Sequence, residues 1–375
     1  MIIRNGLAFE GNGFRKKDIY IADGHFAAIA DDSVNTDAEG MYVIPGLIDI
    51  HLHGAAGADM CDGTYEALDT IAEYQAANGI TAICPATMTL DEGTLLKVMH
   101  NYAGWRASFD YSGNESFPAG VYMEGPFISE QKRGAQNDSY CRLPDYNLFE
   151  RLCEASERNI KVVTVAPELA GSEVFIKEAS AFARVSLAHS TADYDTAIQA
   201  FNMGARQVTH LYNAMNPVAG REPGIPCAVS DREYVMAELI CDGEHVHPAQ
   251  IRNTFRMLGE DRIIFISDSM RACGMPDGIY TLGGQNVIVE GGRACLEKDG
   301  SHAGSVSNLA MCLKKAVREI GIPLVSAVKA VTVNPAKAIG IYDSRGSLDT
   351  GKVADAVILD RDMNVVNVIL RGKLL

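Results

Sequence analysis

The sequence is short of positive charge, and this shortage argues against a protein that binds nucleic acid. It has 33 lysines and arginines against 48 aspartates and glutamates, so its formal net charge is −15. Binding to a phosphate backbone needs clustered lysine and arginine side chains. An anionic small molecule would therefore need a local cationic pocket.

Long apolar runs and paired cysteines are absent as well. No stretch approaches the roughly 18 consecutive apolar residues of a membrane helix, and the first residues lack the apolar core of a secretory signal. None of the nine cysteines stands in a C-x-x-C pair, so we expect reduced thiols rather than a disulfide framework. These features predict a cytoplasmic globular protein without membrane contact.

Both ends of the sequence predict β-structure. Residues 1–30 give three short apolar runs separated by turn residues, and ADAVILD and NVVNVILRG near the other end are split by a turn at 361–363. We expect these runs to form one small discontinuous domain of residues 1–44 and 346–375. Residues 45–345 would then form the second domain.

The middle of the sequence alternates short apolar runs with helix-length amphipathic segments, which is typical of βα units. Most runs are continuously apolar, as parallel strands buried on both faces should be. The fold class is therefore α/β, and eight units favour a (β/α)8 TIM-type barrel, although a doubly wound open sheet has a similar pattern. The eight runs are 42–53, 80–84, 120–124, 161–166, 184–189, 206–210, 236–241 and 263–268.

Residues that can bind metal or transfer protons stand at the ends of five of these runs. In TIM-type barrels the carboxyl ends of the strands carry the active site. The coincidence of position predicts a single site at that end of the barrel. The residues concerned are His51, His53, Glu124, His189, His210 and Asp268.

The same residues predict a metal centre. His51 and His53 are two positions apart, so on a strand their imidazoles face the same side. Zinc and iron accept imidazole and carboxylate ligands. Taken singly, the His-x-His pair could be a polar surface pair, Glu124 a loop cap, and His189 and His210 core histidines. Taken together they favour one or two divalent ions.

Asp268 is the candidate acid–base residue, because a carboxylate beside a metal ion can take a proton from water and return it to a leaving group. A helix cap or an ion-pair partner is the alternative.

Arg221 lies in a loop after the sixth run, and its planar guanidinium group suits phosphate or carboxylate; a solvated arginine is the alternative. His245 is a candidate substrate contact or a surface histidine. The glycine-rich segments near 283–304 predict a hairpin over the barrel mouth.

Several motifs, in order along the chain, resemble one family. PGLIDIHLHG and GSLDTGKVADAVILD are similar to the opening strand and the return segment of the amidohydrolase superfamily. YMEGPFIS, VSLAHSTADYDTAIQAFNMGARQVTHLYNAMNP, GREPG, CDGEHVHP and ISDSMRACGMPDGIYTLGG resemble N-acetylglucosamine-6-phosphate deacetylases. The likeness runs from about residue 42 to 360 and so covers most of the chain.

The resemblance implies a barrel with a β-sandwich built from both termini, a homodimer, and removal of acetate from N-acetyl-amino-sugar 6-phosphates by a divalent metal enzyme. It implies that Glu124, His189 and His210 hold the metal, with His51 and His53 available for a second ion, and that Asp268 is the catalytic acid–base group. It implies substrate contacts from Ala135, Gln136, Asn213, Ala214, Arg221, His245, His302, Ala303 and Gly304.

One position departs from the family pattern. Members often have histidine after Gly-Ala where this chain has Gln136 in KRGAQN. Glutamine can donate a hydrogen bond but cannot become cationic, which leaves room for a different acyl or sugar preference. The alternatives are deacetylation of the galactosamine epimer, hydrolysis of a cyclic amide, or a sugar-phosphate-binding protein without activity. The fourth run offers no lysine at its end, as cyclic amidases often require.

Overall fold

The computed structural model describes residues 1–30 and 35–375; the remaining four residues, which fall within the predicted terminal domain, lie outside the described part. In chain order the strands are β1 (Ile2–Arg4), β2 (Leu7–Phe9), β3 (Phe14–Lys16), β4 (Ile19–Ala22), β5 (His25–Ala27), β6 (Asn35–Asp37), β7 (Tyr42–Pro45), β8 (Leu47–Leu52), β9 (Gly54–Ala55), β10 (Ala58–Asp59), β11 (Ile80–Pro85), β12 (Phe117–Pro118), β13 (Val121–Met123), β14 (Ile160–Val165), β15 (Arg184–Leu187), β16 (Gln207–Val208), β17 (Met236–Ile240), β18 (Ile263–Ile266), β19 (Gly278–Leu282), β20 (Gln285–Glu290), β21 (Arg293–Leu296), β22 (Ala356–Leu359), β23 (Val365–Leu370) and β24 (Lys373–Leu374).

The helices alternate with the strands through the middle of the chain, as the sequence predicts. Their ends follow from capping side chains: Asp91, Asp145 and Asp193 each accept a hydrogen bond from a backbone N–H of the helix that they precede. The helices are α1 (Tyr65–Ala77), α2 (Glu92–Ala107), α3 (Tyr146–Ala155), α4 (Ser172–Ala179), α5 (Tyr194–Met203), α6 (Gly224–Ala228), α7 (Pro248–Leu258), α8 (Leu309–Lys315), α9 (Leu324–Val331) and α10 (Val333–Ala338). The short α6 lacks a helix-length amphipathic pattern, because glycine and proline interrupt its sequence.

Eight parallel strands form the barrel. β8 pairs with β11, and β13 to β18 follow one another in a six-stranded sheet. A parallel bridge between Ala86 and Tyr122 joins the two sheets. On the other side, the Asp268 N–H donates to the His51 carbonyl at 3.0 Å, so the last strand returns to the first. This closure distinguishes the predicted TIM-type barrel from an open doubly wound sheet.

The first predicted run, 42–53, is divided between two sheets. β7 pairs with β2 and β22 in a terminal sheet, whereas β8 opens the barrel. Gly46 lies between them, and a Cβ atom there would be 2.1 Å from Thr81 Oγ1. Only glycine leaves room for this close crossing. Both pieces are apolar, so the sequence gives no sign of the break except the glycine itself.

The two terminal sheets pack face to face. The six-stranded sheet has the order β24-β23-β22-β7-β2-β3 and takes strands from both ends of the chain, and the four-stranded sheet has the order β5-β4-β1-β6. Apolar side chains including Ile3, Phe26, Val43 and Ile358 fill the space between them. The division of domains at residues 44 and 346 stays a prediction.

A three-stranded antiparallel sheet, β19-β20-β21, covers one side of the barrel mouth where a hairpin was predicted. Its buried face packs Leu282, Val287 and Leu296 against Met88 and Met270. None of the helices in the described ranges combines the length and apolar character that crossing a membrane requires. The sheet therefore supplies one wall of the mouth, next to the strand ends.

Candidate metal centre and active site

The carboxylate of Glu124 lies at the centre of a cluster of histidines. Its Oε1 atom is 3.3 Å from His189 Nε2 and 3.1 Å from His210 Nε2. His51 Nε2 is 3.5 Å from the same oxygen, and His53 Nε2 is 3.3 Å from Oε2. The barrel thus brings together four imidazoles that are far apart in sequence around one buried carboxylate.

Two sets of ligand atoms meet at this carboxylate. One set is Glu124, His189 and His210; the other is His51, His53 and Asp268, and within each set the ligand atoms lie within 4.8 Å of one another. All six side chains are buried. Because Glu124 contacts the second set as well as the first, it can serve one ion or bridge two.

The outer nitrogen of three of the four imidazoles, those of His51, His53 and His189, is held by a hydrogen bond, which turns Nε2 inward. His189 Nδ1 is 2.8 Å from the Lys132 carbonyl, and His53 Nδ1 is 3.3 Å from the Ala86 carbonyl. Since a carbonyl only accepts, each Nδ1 donates, which leaves Nε2 available to bind a metal ion. Metal-binding histidines are commonly oriented in this way.

Three of the residues leave their strands in the left-handed region of the backbone. His189 and Asp268 have φ of 48°, and His210 has φ of 27°. Non-glycine residues rarely adopt this region, and each instance costs on the order of 1–3 kcal/mol. A regular strand would carry each residue on along the barrel axis. The turn instead directs each side chain across the barrel mouth.

The cluster is electrostatically interdependent. Burial alone would raise the pKa of Glu124, but the charge of His51 and hydrogen bonds from His189 and His210 outweigh it and hold that pKa well below its usual value. Burial opposes protonation of His53, yet Asp268 and Glu124 raise its pKa well above the usual value. The low pKa of Glu124 and the raised pKa of His53 therefore have one cause, the attraction between buried carboxylates and imidazoles.

The donor set fits a divalent metal ion. The ligands are imidazole nitrogens and carboxylate oxygens, which zinc and iron both accept. His51 Nε2 is buried and has no hydrogen-bond partner within residues 1–30 and 35–375, although it points at two carboxylates. An unpartnered buried nitrogen is costly unless something binds it, and a metal ion would.

A cavity of about 260 Å³ opens directly above the cluster. It contains residues of both ligand sets together with loops that follow the strands and the three-stranded sheet. Seven of the predicted substrate-binding residues line it: Ala135, Gln136, Asn213, Ala214, His245, His302 and Gly304. The loops therefore bring the predicted residues to one place, and their contacts with substrate stay a prediction.

Two predicted substrate-binding residues lie outside the cavity lining. Ala303 is fully buried, and its N–H donates to the Ala294 carbonyl at 3.0 Å, so it anchors the loop that carries His302 and Gly304. Arg221 is exposed in the loop before α6. Within a single chain it does not contribute to the cavity lining, and its phosphate role stays a prediction.

Gln136 is held between the cluster and the backbone. Its amide oxygen accepts a hydrogen bond from the Thr89 N–H at 2.6 Å, which fixes the orientation of the amide. Its nitrogen donates to Glu124 Oε2. The glutamine thus contacts the carboxylate that both ligand sets share, at the wall of the cavity.

His245 is paired with a carboxylate that the sequence interpretation missed. Its Nδ1 atom is 2.7 Å from Asp242 Oδ2, and its ring centroid is 5.1 Å from that of His302. Burial favours neutral His245, but the hydrogen bond and charge of Asp242 raise its pKa. For the same reason the pKa of Asp242 falls to about 2 against the effect of its own burial. The pair therefore favours the protonated form of an imidazole at the cavity wall.

Other cavity residues carried no sequence signal. Met88, Tyr212 and Leu282 contribute apolar or aromatic surface to the lining. Their positions depend on loop paths that no periodicity encodes. Asp242 was detectable in principle, because it follows an apolar strand directly, as Glu124 does.

Comparisons with known proteins agree with this geometry. The model of the amidohydrolase family matches residues 42–375. N-acetylglucosamine-6-phosphate deacetylase of Bacillus subtilis is 36% identical over 88% of this chain and 84% of its own length. N-acetylgalactosamine-6-phosphate deacetylase of Escherichia coli O157:H7 is 33% identical over 94% of this chain and 93% of its own length.

Solved structures give the same result. The N-acetyl-D-glucosamine-6-phosphate deacetylase of Mycobacterium smegmatis superposes with a TM-score of 0.93 at 30% identity, covering all of both chains. A variant of it, solved in complex with N-acetyl-D-glucosamine-6-phosphate, gives 0.92 over 100% of this chain and 98% of its own. The deacetylase of Pasteurella multocida gives 0.92 at 26% identity over 100% and 99% of the two chains.

Proposed function

The chain belongs to the amidohydrolase family, and from this premise we propose that it hydrolyses the N-acetyl amide of N-acetyl-D-glucosamine 6-phosphate. The products are D-glucosamine 6-phosphate and acetate, as in amino-sugar catabolism or recycling. The observation that carries the proposal is the Glu124–histidine cluster with Asp268 beside it, at the floor of a cavity whose wall holds His245. The cluster with Asp268 would act on the amide at one end of the substrate, and His245 would bind the phosphate at the other end.

Glu124, His189 and His210 would hold one divalent ion, zinc or iron, and His51, His53 and Asp268 a second. When bound, the metal supplies Lewis acidity that activates water and polarises the amide carbonyl. The chain's own contribution is to fix the ligands and to keep the carboxylates ionised. Preorganised groups of this kind need not rearrange as charge develops in the transition state.

Asp268 is the proton carrier in this proposal. Its Oδ1 is 3.2 Å from His53 Nε2, at the boundary between the ligand sets and the cavity. The carboxylate takes a proton from the attacking water and returns it to the nitrogen of the leaving amine. Burial raises the pKa of Asp268, but the hydrogen bond from His53 and the charge of His51 outweigh it and lower that pKa below its usual value.

The sugar phosphate is held away from the reacting bond. Asn213, Ala214 and His245 line the cavity, and protonated His245 supplies positive charge in an otherwise acidic chain. Binding energy from a remote phosphate orients the amide over the metal. Arg221 would add a second positive charge to the phosphate site if, in a dimer, the loop before α6 reached the cavity of the other subunit.

A second candidate substrate is the galactosamine epimer. The similarity to the Escherichia coli galactosamine enzyme is close to that of the glucosamine enzymes and covers more of this chain than the Bacillus subtilis match does. Hydrolysis of a cyclic amide is less well supported, because the central carboxylate comes from Glu124 after β13. In the fourth barrel strand Lys161 stands near the start and Val165 at the end.

The experiment is acetate release by protein of known metal content. N-acetylglucosamine 6-phosphate, its galactosamine epimer and unphosphorylated N-acetylglucosamine are compared side by side, with and without a chelator. We expect strong turnover of one phosphorylated sugar, abolished by the chelator and restored by zinc or iron. Metal-loaded protein that turns over none of the three would refute the proposal.

A homodimer and a cytoplasmic location are proposed on the same basis. All nine cysteines are free and five of them are buried, which suits a reducing compartment. Sedimentation equilibrium tests the dimer, and a monomer at micromolar concentration would contradict it.

A further inference from the structure

A third carboxylate lies beneath the two ligand sets. Glu238 stands in the middle of β17, its side chain faces the barrel interior, and it is 0% exposed. Its Oε2 accepts hydrogen bonds from His51 Nδ1 at 3.1 Å and from the His210 backbone N–H at 3.2 Å. One oxygen atom therefore holds a side chain of one ligand set and the backbone of the other.

We propose that Glu238 is a positioning residue that presents His51 to the metal centre and couples the two ligand sets. This inference rests on the proposed function, since it requires that His51 binds metal. Because Nδ1 of His51 donates to Glu238, Nε2 keeps its lone pair and points at Glu124 and Asp268. A carboxylate partner also makes the imidazole a stronger ligand than a neutral acceptor would.

The surroundings leave His51 little freedom. The Tyr122 ring stacks on the His51 imidazole with centroids 4.0 Å apart and an angle of 18° between planes. The Tyr122 hydroxyl is 2.7 Å from Thr209 Oγ1, which is 2.7 Å from Ser186 Oγ. The Tyr122 ring and the Glu238 carboxylate thus fix the orientation of the His51 imidazole, so its Nε2 can face only the cluster.

The contact to His210 explains the coupling. His210 has φ of 27°, a strained conformation that needs external support. Its N–H bond to Glu238 provides that support, and Gln207 Nε2 holds the other carboxylate oxygen. A shift of the Glu238 carboxylate would consequently move the His51 ring and the His210 turn together.

A purely structural role accounts less well for these contacts. A fully buried carboxylate is costly to desolvate, and an apolar side chain of similar size often replaces one without loss of stability. Glu238 lies outside the cavity lining, so it does not contact substrate. Its partners are two metal-ligand residues and the glutamine that anchors it.

The test compares Glu238→Gln with Ser186→Ala as a matched control. Glutamine keeps the size and an acceptor oxygen but removes the charge. Ser186 lies in the same buried layer, and its hydroxyl bonds to Thr209 rather than to a residue of either ligand set. Metal content per chain, binding of each equivalent of zinc, and the visible spectrum of the cobalt-substituted protein are measured, with kcat and KM.

We expect Glu238→Gln to bind the second equivalent of metal about 10- to 100-fold more weakly than wild type, because His51 loses its charged partner. The first equivalent should be weakened much less, because the glutamine oxygen can still accept a hydrogen bond from the His210 N–H. The cobalt spectrum should lose intensity from one site, and kcat should fall with KM nearly unchanged. Ser186→Ala should keep both equivalents and the wild-type spectrum. If Glu238→Gln does not fold, Glu238→Asp keeps the charge on a shorter side chain, and the same selective loss is expected.

Two equivalents bound with wild-type affinity and an unchanged spectrum in Glu238→Gln would overturn the inference. So would an equal weakening of both equivalents together with a lowered melting temperature of the metal-free protein, since that pattern reports a structural role. A wild-type enzyme that deacetylates with one equivalent of metal would overturn it too and leave the proposed function intact. Absence of both metal and turnover in the wild type would remove the proposed function itself.

Discussion

Asp268 lies where a proton carrier is needed, 3.2 Å from His53 and at the edge of the cavity. In Asp268→Asn the amide keeps the shape but cannot accept a proton. We expect kcat to fall about 100- to 10,000-fold, while the ion held by Glu124, His189 and His210 stays bound. Single-turnover acetate release and metal analysis check both parts. Turnover near the wild-type rate would remove Asp268 from the mechanism.

His245 gives a prediction on pH dependence. Burial lowers its pKa, and Asp242 raises it above the usual value of 6.5 by a larger amount. The imidazolium is therefore present below that raised pKa, and its contribution to phosphate binding is lost as pH rises through it. In Asp242→Asn burial is opposed only by the charges of Asp268 and Glu244, so the pKa of His245 should fall.

The expected result is that the alkaline limb of the kcat/KM profile for the phosphorylated sugar moves to lower pH in Asp242→Asn. The profile for unphosphorylated N-acetylglucosamine serves as the control and should not move by the same amount. An alkaline limb at the wild-type position for the phosphorylated sugar would mean that His245 does not hold the phosphate as a cation.

At the scale of elements, the loop after β21 supports Asp268. The Ser305 N–H donates to the Asp268 carbonyl at 2.7 Å, and Gly304 before it has φ of +66°. A Cβ at Gly304 would lie 2.9 Å from the same carbonyl oxygen. Gly304→Ala should therefore displace the loop from Asp268 as well as strain the backbone.

Gly300→Ala is the matched control, because Gly300 has φ of +75° and a Cβ atom there would meet no other atom within 4 Å. Both variants should lose about 1 kcal/mol of stability from backbone strain. Only Gly304→Ala should also reduce kcat/KM, by about tenfold or more. Denaturant unfolding and steady-state kinetics separate the two effects, and equal kinetics in both variants would contradict the supporting role of the loop.

Element types were predictable where the sequence pattern was strong. The eight apolar runs all contribute barrel strands, because parallel strands buried on both faces have few alternatives. Residues 42–53 show the limit: hydrophobicity does not change at Gly46, and the break arises from a close approach to Thr81 that is a tertiary contact. The five-residue α6 had too little sequence to predict.

The metal-site candidates were predictable because topology aligns them. Once eight parallel strands close, every strand end faces one mouth, and polar residues at those ends meet there. The role of Glu238 could not be assigned in the same way, and the position of Asp242 after an apolar run did not reveal its contact with His245. Glu238 lies mid-strand, and its contact with His51 spans 187 positions in the sequence, so its role depends on the barrel register. Asp242 acts through a loop turn whose path the sequence pattern does not encode.

At the scale of the whole molecule, metal removal should lower stability. The ligands come from strands β8, β13, β15, β16 and β18 or the residues that follow them, so one ion ties distant parts of the barrel together. At free metal about 1,000 times above its Kd, the native state gains about 4 kcal/mol. We expect a chelator to lower the melting temperature by several degrees, and stoichiometric zinc to restore it. Identical melting with and without metal would contradict this.

The six-stranded terminal sheet also bears on how the chain reaches its native state during synthesis. β22 pairs with β7 on one side and with β23 on the other, and the entire barrel separates β7 from β22 in sequence. While the ribosome is still making β22 and β23, β7 cannot yet pair with β22. By that time all eight barrel strands have been made. Contacts of such long separation form slowly. The catalytic barrel would then fold first. The terminal sheet would form last, when β22 pairs with β7 and so joins the two ends of the chain.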